Sequence, residues 1–230
     1  MQYRLLIVED ETDINRLLAK LLDAEGYETV QAYSGTEALL LLDREKPDLV
    51  LMDLMLPGLS GEELLMKIRK EKGCTVPVLI LTAKSALKDK VSLLRAGADD
   101  YITKPFEPEE VAARVSAALR RAVKEPVASE ERKVLSYKNI QLCPESRQVT
   151  VNGQELVLTA HEYELLYLFL RYPEKVFSRE RLYELVWSGG YYGENNTVNV
   201  HVSNLRRKIK EAAPGEEYIR TVYGIGFQLK

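Results

Sequence analysis

Two short apolar runs end abruptly in carboxylates. Leu5-Leu6-Ile7-Val8 is followed by Glu9-Asp10, and Leu49-Val50-Leu51-Met52 by Asp53. Runs of this length bounded by polar residues read as strands buried on both faces of a parallel sheet. Such sheets bind ligands beyond the carboxyl ends of their strands. If the two strands are neighbours, Glu9, Asp10 and Asp53 converge on one crevice, where they attract a hard divalent cation and where Asp53 is a candidate nucleophile. Two further strand ends add Thr82, after Val78-Leu79-Ile80-Leu81, and Lys104, after Asp100-Tyr101-Ile102-Thr103. These supply a hydroxyl donor and an ammonium.

The elements that must position these side chains alternate. Ile14, Leu17, Leu18, Leu21 and Leu22 form a helical stripe stopped by Gly26, and a strand follows near Thr29 to Ala32. A helix from about Thr36 carries Ala38, Leu39, Leu41 and Leu42. The loop Met55-Leu56-Pro57-Gly58-Leu59-Ser60-Gly61 leads from the Asp53 strand into a helix with Leu64, Leu65 and Ile68. A helix ending at Gly97 precedes the fifth strand, and one from Glu109 to about Arg121 closes the unit. Strands alternating with helices in this way predict a doubly wound parallel (βα)₅ sheet, an α/β fold.

The 230 residues suffice for one large or two ordinary domains. No apolar run approaches a membrane span, and Glu9 and Asp10 interrupt the N-terminus where a signal peptide would need apolar residues. Cys74 and Cys143 suit neither a disulfide framework nor a metal knuckle, so the expected setting is a reducing cytoplasm without membrane attachment. Residues 1–121 carry a net charge of −4 and residues 134–230 a net of +1. Nucleic-acid binding by the second half must therefore rest on a local patch rather than on bulk charge.

Glu9, Asp10, Asp53, Thr82 and the sequence Lys104-Pro105-Phe106, in this order and at these strand ends, closely resemble the receiver domain of two-component response regulators. The resemblance covers residues 1–121. It implies that Asp53 accepts a phosphoryl group from a sensor histidine kinase, with Mg²⁺ held by Asp10, Asp53 and the Met55 backbone carbonyl, and by Glu9 through water. The physical reading agrees. Phosphoryl transfer to a carboxylate is mostly positioning and charge neutralisation. Mg²⁺ keeps several waters and uses one or two carboxylates, which suits so sparse a site. Lys104 and Thr82 can donate to phosphoryl oxygens.

The resemblance also implies a switch and a dimer face. Phosphate on Asp53 would draw the Thr82 hydroxyl toward it, and the Tyr101 ring would turn inward. Lys90, Arg95, Asp99, Asp100, Glu110 and Arg114 match in type the charged face through which OmpR/PhoB-type regulators dimerise. Lys90 would pair with Glu110, and Asp100 with Arg114, across a two-fold axis.

Residues 122–133 are charged, contain Pro126 and show no apolar period, which predicts a flexible tether. Short alternating strands follow at Leu135–Leu142 and Gln148–Val151, with Asn152-Gly153 as a hairpin turn before Glu155–Leu158. Thr159-Ala-His-Glu162 is a capping box opening a helix with Tyr163, Leu165, Leu166, Leu168, Phe169 and Leu170. Ser178 caps a second helix through Leu182, Leu185, Val186 and Trp187. A third, about Thr197 to Ala212, has Val198, Val202, Leu205 and Ile209 as its buried stripe, and Tyr218–Leu229 reads as a terminal hairpin.

This order, with Thr197-Val-Asn-Val-His-Val and the closing Gly224-Ile-Gly-Phe227, resembles the winged helix-turn-helix effector of the OmpR/PhoB subfamily over residues 134–230, an α+β domain. The third helix is then the major-groove reader. Its exposed face is expected to carry His201, Asn204, Arg206, Arg207, Lys208 and Lys210, with Asn204 reading adenine and Arg206 and Arg207 holding phosphates. Thr221 and Tyr223 fall where the wing would touch the minor groove, and His161 reads as an ordinary surface residue. Asn196, Asn199, Ser203 and Asn204 depart from the cations and the Asp usual at those places, which implies a shallower salt dependence. The loop 188–195 would face RNA polymerase in that family, or is simply a Gly-rich connector.

Together these readings predict a phosphorylation-activated transcription factor that binds promoter half-sites as a homodimer. The competing readings are a phosphorylation-independent DNA binder and a metal-dependent phosphatase of the α/β type.

Overall fold

The apolar runs become strands and the amphipathic stretches become the helices between them. The structure, a computed structural model, describes residues 2–83, 87–122, 134–187 and 195–230, with side chains described outside 87–90, 120–122 and 195. The first unit, Met1–Ala122, contains β1 (Arg4–Val8), α1 (Thr12–Ala24), β2 (Glu28–Ala32), α2 (Gly35–Glu45), β3 (Leu49–Asp53) and α3 (Gly61–Met66), which runs on into a π-helical turn at Lys67–Glu71. It continues with β4 (Val78–Thr82), α4 (Leu87–Ala96), β5 (Asp100–Thr103) and α5 (Pro108–Ala122).

All five strands are parallel, in the order β2-β1-β3-β4-β5. The order reverses between β1 and β3, and the crevice at such a reversal is where open α/β sheets bind ligands. Side chains alternate across the sheet. Leu5, Ile7, Leu49, Leu51, Leu79, Leu81 and Ile102 face α1 and α5, packing on Leu18, Leu22, Val111, Val115 and Leu119. Leu6, Val8, Val50, Met52 and Ile80 are as deeply buried on the other face. Each of these side chains contributes roughly 1.5–3 kcal/mol by leaving water. The α1 stripe differs from the expected one in one place: Leu17 is exposed, and the buried line runs through Asn15, Leu18, Ala19 and Leu22.

Caps fix where the helices begin. The Ser34 hydroxyl accepts the Glu37 N–H at 3.2 Å. Ser60 and Glu63 form a reciprocal capping box, the Ser60 N–H donating to Glu63 Oε2 at 3.0 Å and the Glu63 N–H to Ser60 Oγ at 3.3 Å.

The second unit, Val123–Lys230, contains β6 (Leu135–Tyr137), β7 (Ile140–Cys143), β8 (Gln148–Val151), β9 (Gln154–Glu155), α6 (Ala160–Arg171), β10 (Phe177–Ser178), α7 (Arg179–Trp187), α8 (Asn195–Ala212), β11 (Ile219–Val222) and β12 (Gly226–Leu229). An antiparallel sheet β6-β7-β8-β9 leads into three helices, and a second sheet, β10-β12-β11, closes the unit. Asn152 (φ 53°) and Gly153 (φ 76°) make the tight turn that the Asn-Gly pair predicts. The Arg181 N–H donates to Ser178 Oγ at 3.1 Å, so Ser178 caps α7 as expected. The core gathers Phe169, Phe177, Leu182, Trp187, Val198, Val202, Leu205 and Phe227. The tether expected at 122–133 lies, from residue 123 onward, outside the described residues.

Candidate phosphoacceptor site and nucleic-acid interface

Strand register brings the first set of side chains together. Val8 pairs with Met52, which sets Glu9 level with Asp53 on the adjacent strand. Thr82 pairs with Thr103, and the Lys104 N–H donates to the Thr82 carbonyl at 2.8 Å, so Lys104 emerges on the same edge. Its ammonium donates to Glu9 Oε2 at 2.7 Å and to Asp53 Oδ2. Glu9, Asp53 and Thr82 are buried, whereas Asp10 and Met55 are exposed. The Met55 N–H donates to Asp53 Oδ1 at 3.1 Å, which holds the carboxylate at the head of the loop.

Burial pushes the Glu9 carboxyl above the usual glutamate range, against the pull of the Lys104 hydrogen bond and with the nearby Asp53 charge adding to the rise. Burial alone would lower the Lys104 ammonium, but hydrogen bonds to Asp53 and Glu9 outweigh it and leave the group raised. Three carboxylates against one ammonium leave an excess of two negative charges, which a divalent cation matches. The donors are all hard oxygens, as Mg²⁺ prefers. Among the described residues, no three acidic, His or Cys side chains cage a metal by themselves. The oxygen donors and the excess of negative charge fit such an ion, so the residues present fit the group.

Two residues that sequence reasoning passed over support the site. Asn15, buried on α1, donates through Nδ2 to the Glu9 carbonyl at 2.7 Å and the Ala32 carbonyl at 3.0 Å, tying together the ends of β1 and β2. Gly61 packs its Cα against the strand bearing Asp53, where an added Cβ would stand 2.3 Å from the Asp53 carbonyl oxygen. Backbone cannot yield as a side-chain tip can. Gly61→Ala is expected to lower stability by about 1–3 kcal/mol in urea unfolding and to slow uptake of label from acetyl phosphate.

The expected dimer face differs in part. Asp99 is fully buried, its carboxylate taking the Arg69 guanidinium at 2.7 Å and the Val78 N–H at 2.9 Å, so it braces the sheet rather than lining a surface. Within the chain Asp100 and Arg114 pair at 2.6 Å, and Arg114 also holds Glu110 at 2.9 Å. The cause is local, since Glu110 and Arg114 lie one turn apart on α5 and the guanidinium also reaches the start of β5. Arg95 is exposed. The Lys90 side chain lies outside the described residues. Tyr101 is buried.

The second unit corrects the expected face of α8. His201 and Asn204 are buried. His201 packs against Trp187 with ring centroids 5.2 Å apart, and His161, expected at the surface, is buried and stacked on the same indole at 4.5 Å. Lys208 turns back to Glu162 Oε2 at 2.7 Å and the Val157 carbonyl at 3.0 Å; Glu162 also accepts the Thr159 N–H at 2.8 Å. Arg206 donates to the Ile219 carbonyl at 2.9 Å and to Thr221 Oγ1 at 3.0 Å, and lies 5.4 Å above the Phe227 ring. Burial lowers its pKa. Arg206 and Thr221 thus fasten the hairpin to the helix instead of facing outward.

At 3.6 residues per turn, Asn196, Ser203, Arg207, Lys210 and Glu211 lie on the side of α8 turned away from the Val198, Val202, Leu205 and Ile209 stripe, and Asn199 lies a quarter-turn from the stripe, on the flank. Ser203, Arg207 and Lys210 are exposed, and Asn196 and Asn199 half-buried. Tyr223, at the tip of the β11–β12 hairpin, is 92 % exposed, as a wing residue should be. The loop expected to face RNA polymerase lies, at 188–194, outside the described residues.

Known proteins share both halves. Residues 5–116 match the response regulator receiver domain, and residues 153–229 the C-terminal domain of transcriptional regulatory proteins. The DNA-binding response regulator MtrA of Mycobacterium tuberculosis (strain ATCC 25618 / H37Rv) is 39 % identical over 228 residues, covering 99 % of this chain and 97 % of MtrA. The transcriptional regulatory protein ResD of Bacillus subtilis (strain 168) is 38 % identical over 231 residues, covering 99 % of this chain and 95 % of ResD. Among solved structures, a mutant of RitR superposes with a TM-score of 0.77 at 28 % identity over 99 % of both chains. Response regulator DrrB, a Thermotoga maritima OmpR/PhoB homolog, does so with a TM-score of 0.52 at 26 % identity over 100 % of both. A receiver sheet with an acid pocket at its switch point, followed by a winged-helix unit and matched along its whole length by such regulators, makes this chain an OmpR/PhoB-type response regulator, a phosphorylation-activated regulator of transcription.

Proposed function

We propose that Asp53 is the phosphoryl acceptor, that Lys104 and Thr82 receive the phosphoryl oxygens, and that Asp10, Asp53 and the Met55 carbonyl hold Mg²⁺, with Glu9 acting through water. The observation that carries this reading is the Lys104 ammonium lying between Glu9 and Asp53 at the sheet's switch point. When bound, the metal neutralises charge on the incoming phosphoryl group. Lys104 then turns from its carboxylate partners toward the new oxygens, and the Thr82 hydroxyl donates to them. Tyr101, beside Ile80 in the register, is the aromatic that couples this site to the α4–β5–α5 surface.

On that surface Arg95, Asp100, Glu110 and Arg114, with Lys90, form a dimer face. The intrachain pairs of Arg114 are exchanged for partner contacts when two copies meet. A sensor histidine kinase supplies the phosphoryl group in the cytoplasm, where the DNA is. The dimer then sets two α8 helices on neighbouring half-sites, with Asn196, Asn199, Ser203, Arg207 and Lys210 toward the major groove and Tyr223 toward the adjoining backbone and minor groove. Linking two weak contacts raises the effective concentration of the second. The loop 188–195 is the candidate surface for RNA polymerase.

The test uses the full-length chain with acetyl phosphate and Mg²⁺. Treated protein is expected to sediment as a dimer and to enrich, from a random-sequence duplex pool, a site made of two repeated half-sites about one helical turn apart. Untreated protein is expected to bind that site at least about tenfold more weakly. Equal mass and equal affinity in the two states would sink the proposal.

A further inference from the structure

We infer that Asn199 reads guanine in the major groove and that Arg179 dictates the choice; the inference rests on the proposal that α8 enters that groove. Asn199 is half-buried on the flank of α8, beside Asn196 and Ser203. Arg179, the first residue of α7, donates its Nε–H to Asn199 Oδ1 at 2.9 Å. A guanidinium has five N–H donors and no acceptor, so chemistry alone fixes which end of the amide faces it. The oxygen turns back toward α7 and the NH₂ group turns away. Arg179 is itself held, its guanidinium carbon lying 5.6 Å over the ring of Phe227, which is buried. Among the described residues, Asn199 Nδ2 makes no hydrogen bond of its own.

An asparagine free to rotate reads adenine with its oxygen and nitrogen side by side, accepting from N6–H and donating to N7. With one lone pair of the oxygen taken by Arg179 and the oxygen drawn toward α7, the amide presents its NH₂ end first. The group it turns away from α7 is a donor. Guanine presents two neighbouring acceptors, O6 and N7, to such a group, whereas adenine sets its N6 amino group beside the single acceptor N7 and thymine sets its methyl beside the single acceptor O4. An aspartate at this position would have paired with Arg179 and offered a base only acceptors.

The full-length chain, treated with acetyl phosphate and Mg²⁺, and the Asn199→Ala and Asn199→Asp variants are each used to select from a random-sequence duplex pool. Asn199→Ala is expected to randomise one position in each half-site, and in the wild-type selection that position is expected to be a G·C pair. Replacing this guanine by 7-deazaguanine, which lacks N7 but keeps its pairing with cytosine, should weaken wild-type binding about fivefold and leave Asn199→Ala unaffected. Asn199→Asp keeps a partner for Arg179, so the fold survives, and should lose the G·C preference. An A·T pair at that position, or an Asn199→Ala selection identical to wild type, overturns the assignment and leaves the major-groove proposal standing. No enriched sequence from any of the three proteins overturns that proposal, and the assignment with it.

Discussion

Asp53→Asn is expected to reduce label uptake from a phosphodonor to background and to hold DNA affinity at the level of untreated protein. The amide has the size of the carboxylate and its oxygen can still accept from Lys104, but it is no nucleophile toward phosphorus. Neither neighbouring acid can replace it. Glu9 is fully buried, with Oε2 held by Lys104 at 2.7 Å and Oε1 facing the Glu11 N–H at 3.4 Å. Asp10 is exposed and, among the described residues, makes no contact with Lys104. The excess negative charge of the pocket falls by one, so urea unfolding should show no loss of stability. That separates loss of chemistry from loss of fold. Acid-stable or undiminished labelling of the variant would show that the acceptor is another residue.

Lys104→Met should cost about 3 kcal/mol at neutral pH, because removing one partner leaves buried charges uncompensated. Glu9 and Asp53 would then face each other with no cation between them. The pH dependence follows from the direction of each shift. Glu9 is raised, so the folded chain holds that proton more tightly than the unfolded chain, and stability is lost as pH rises through the raised value. Without Lys104 the carboxyl rises further and the loss extends to higher pH, so acidification should restore much of the variant's stability. Lys104 is raised above the ordinary lysine value; its contribution in the wild type is complete at neutral pH and lost only as pH climbs through that higher value. The double variant Glu9→Gln/Lys104→Met should recover most of that loss of about 3 kcal/mol, since the remaining carboxylate no longer meets a second buried charge. A single variant as stable as wild type in urea at neutral pH would contradict this account of the pocket.

Some of this was legible in the sequence and some was hidden by geometry. Continuous apolar runs ending in charge identify strands buried on both faces, so Glu9, Asp53, Thr82 and Lys104 could be placed on one edge from the sequence alone. Capping residues and the Asn-Gly turn are local signals and were equally readable. Asp99 was not, because a charge beside a strand looks the same whether it faces water or an arginine thirty positions away in sequence, here Arg69. The reader face of α8 was misjudged for another reason. Four cations in five residues drew attention to Arg206, Arg207, Lys208 and Lys210, although Val198, Val202, Leu205 and Ile209 already defined the inner side. Extending that period outward selects Asn196, Ser203, Arg207, Lys210 and Glu211, and places Asn199 and Lys208 on opposite flanks. His161 and His201 went unrecognised as core residues because imidazole has no strong preference for inside or outside; stacking on Trp187 decides it.

The Arg206 contacts to Ile219, Thr221 and Phe227 make α8 and the terminal hairpin a single stiff part. On the proposal that α8 enters the major groove, a reader fastened in this way carries its sequence preference within residues 134–230. Grafting those residues behind an unrelated receiver should transplant the set of target promoters intact while exchanging the stimulus that governs them.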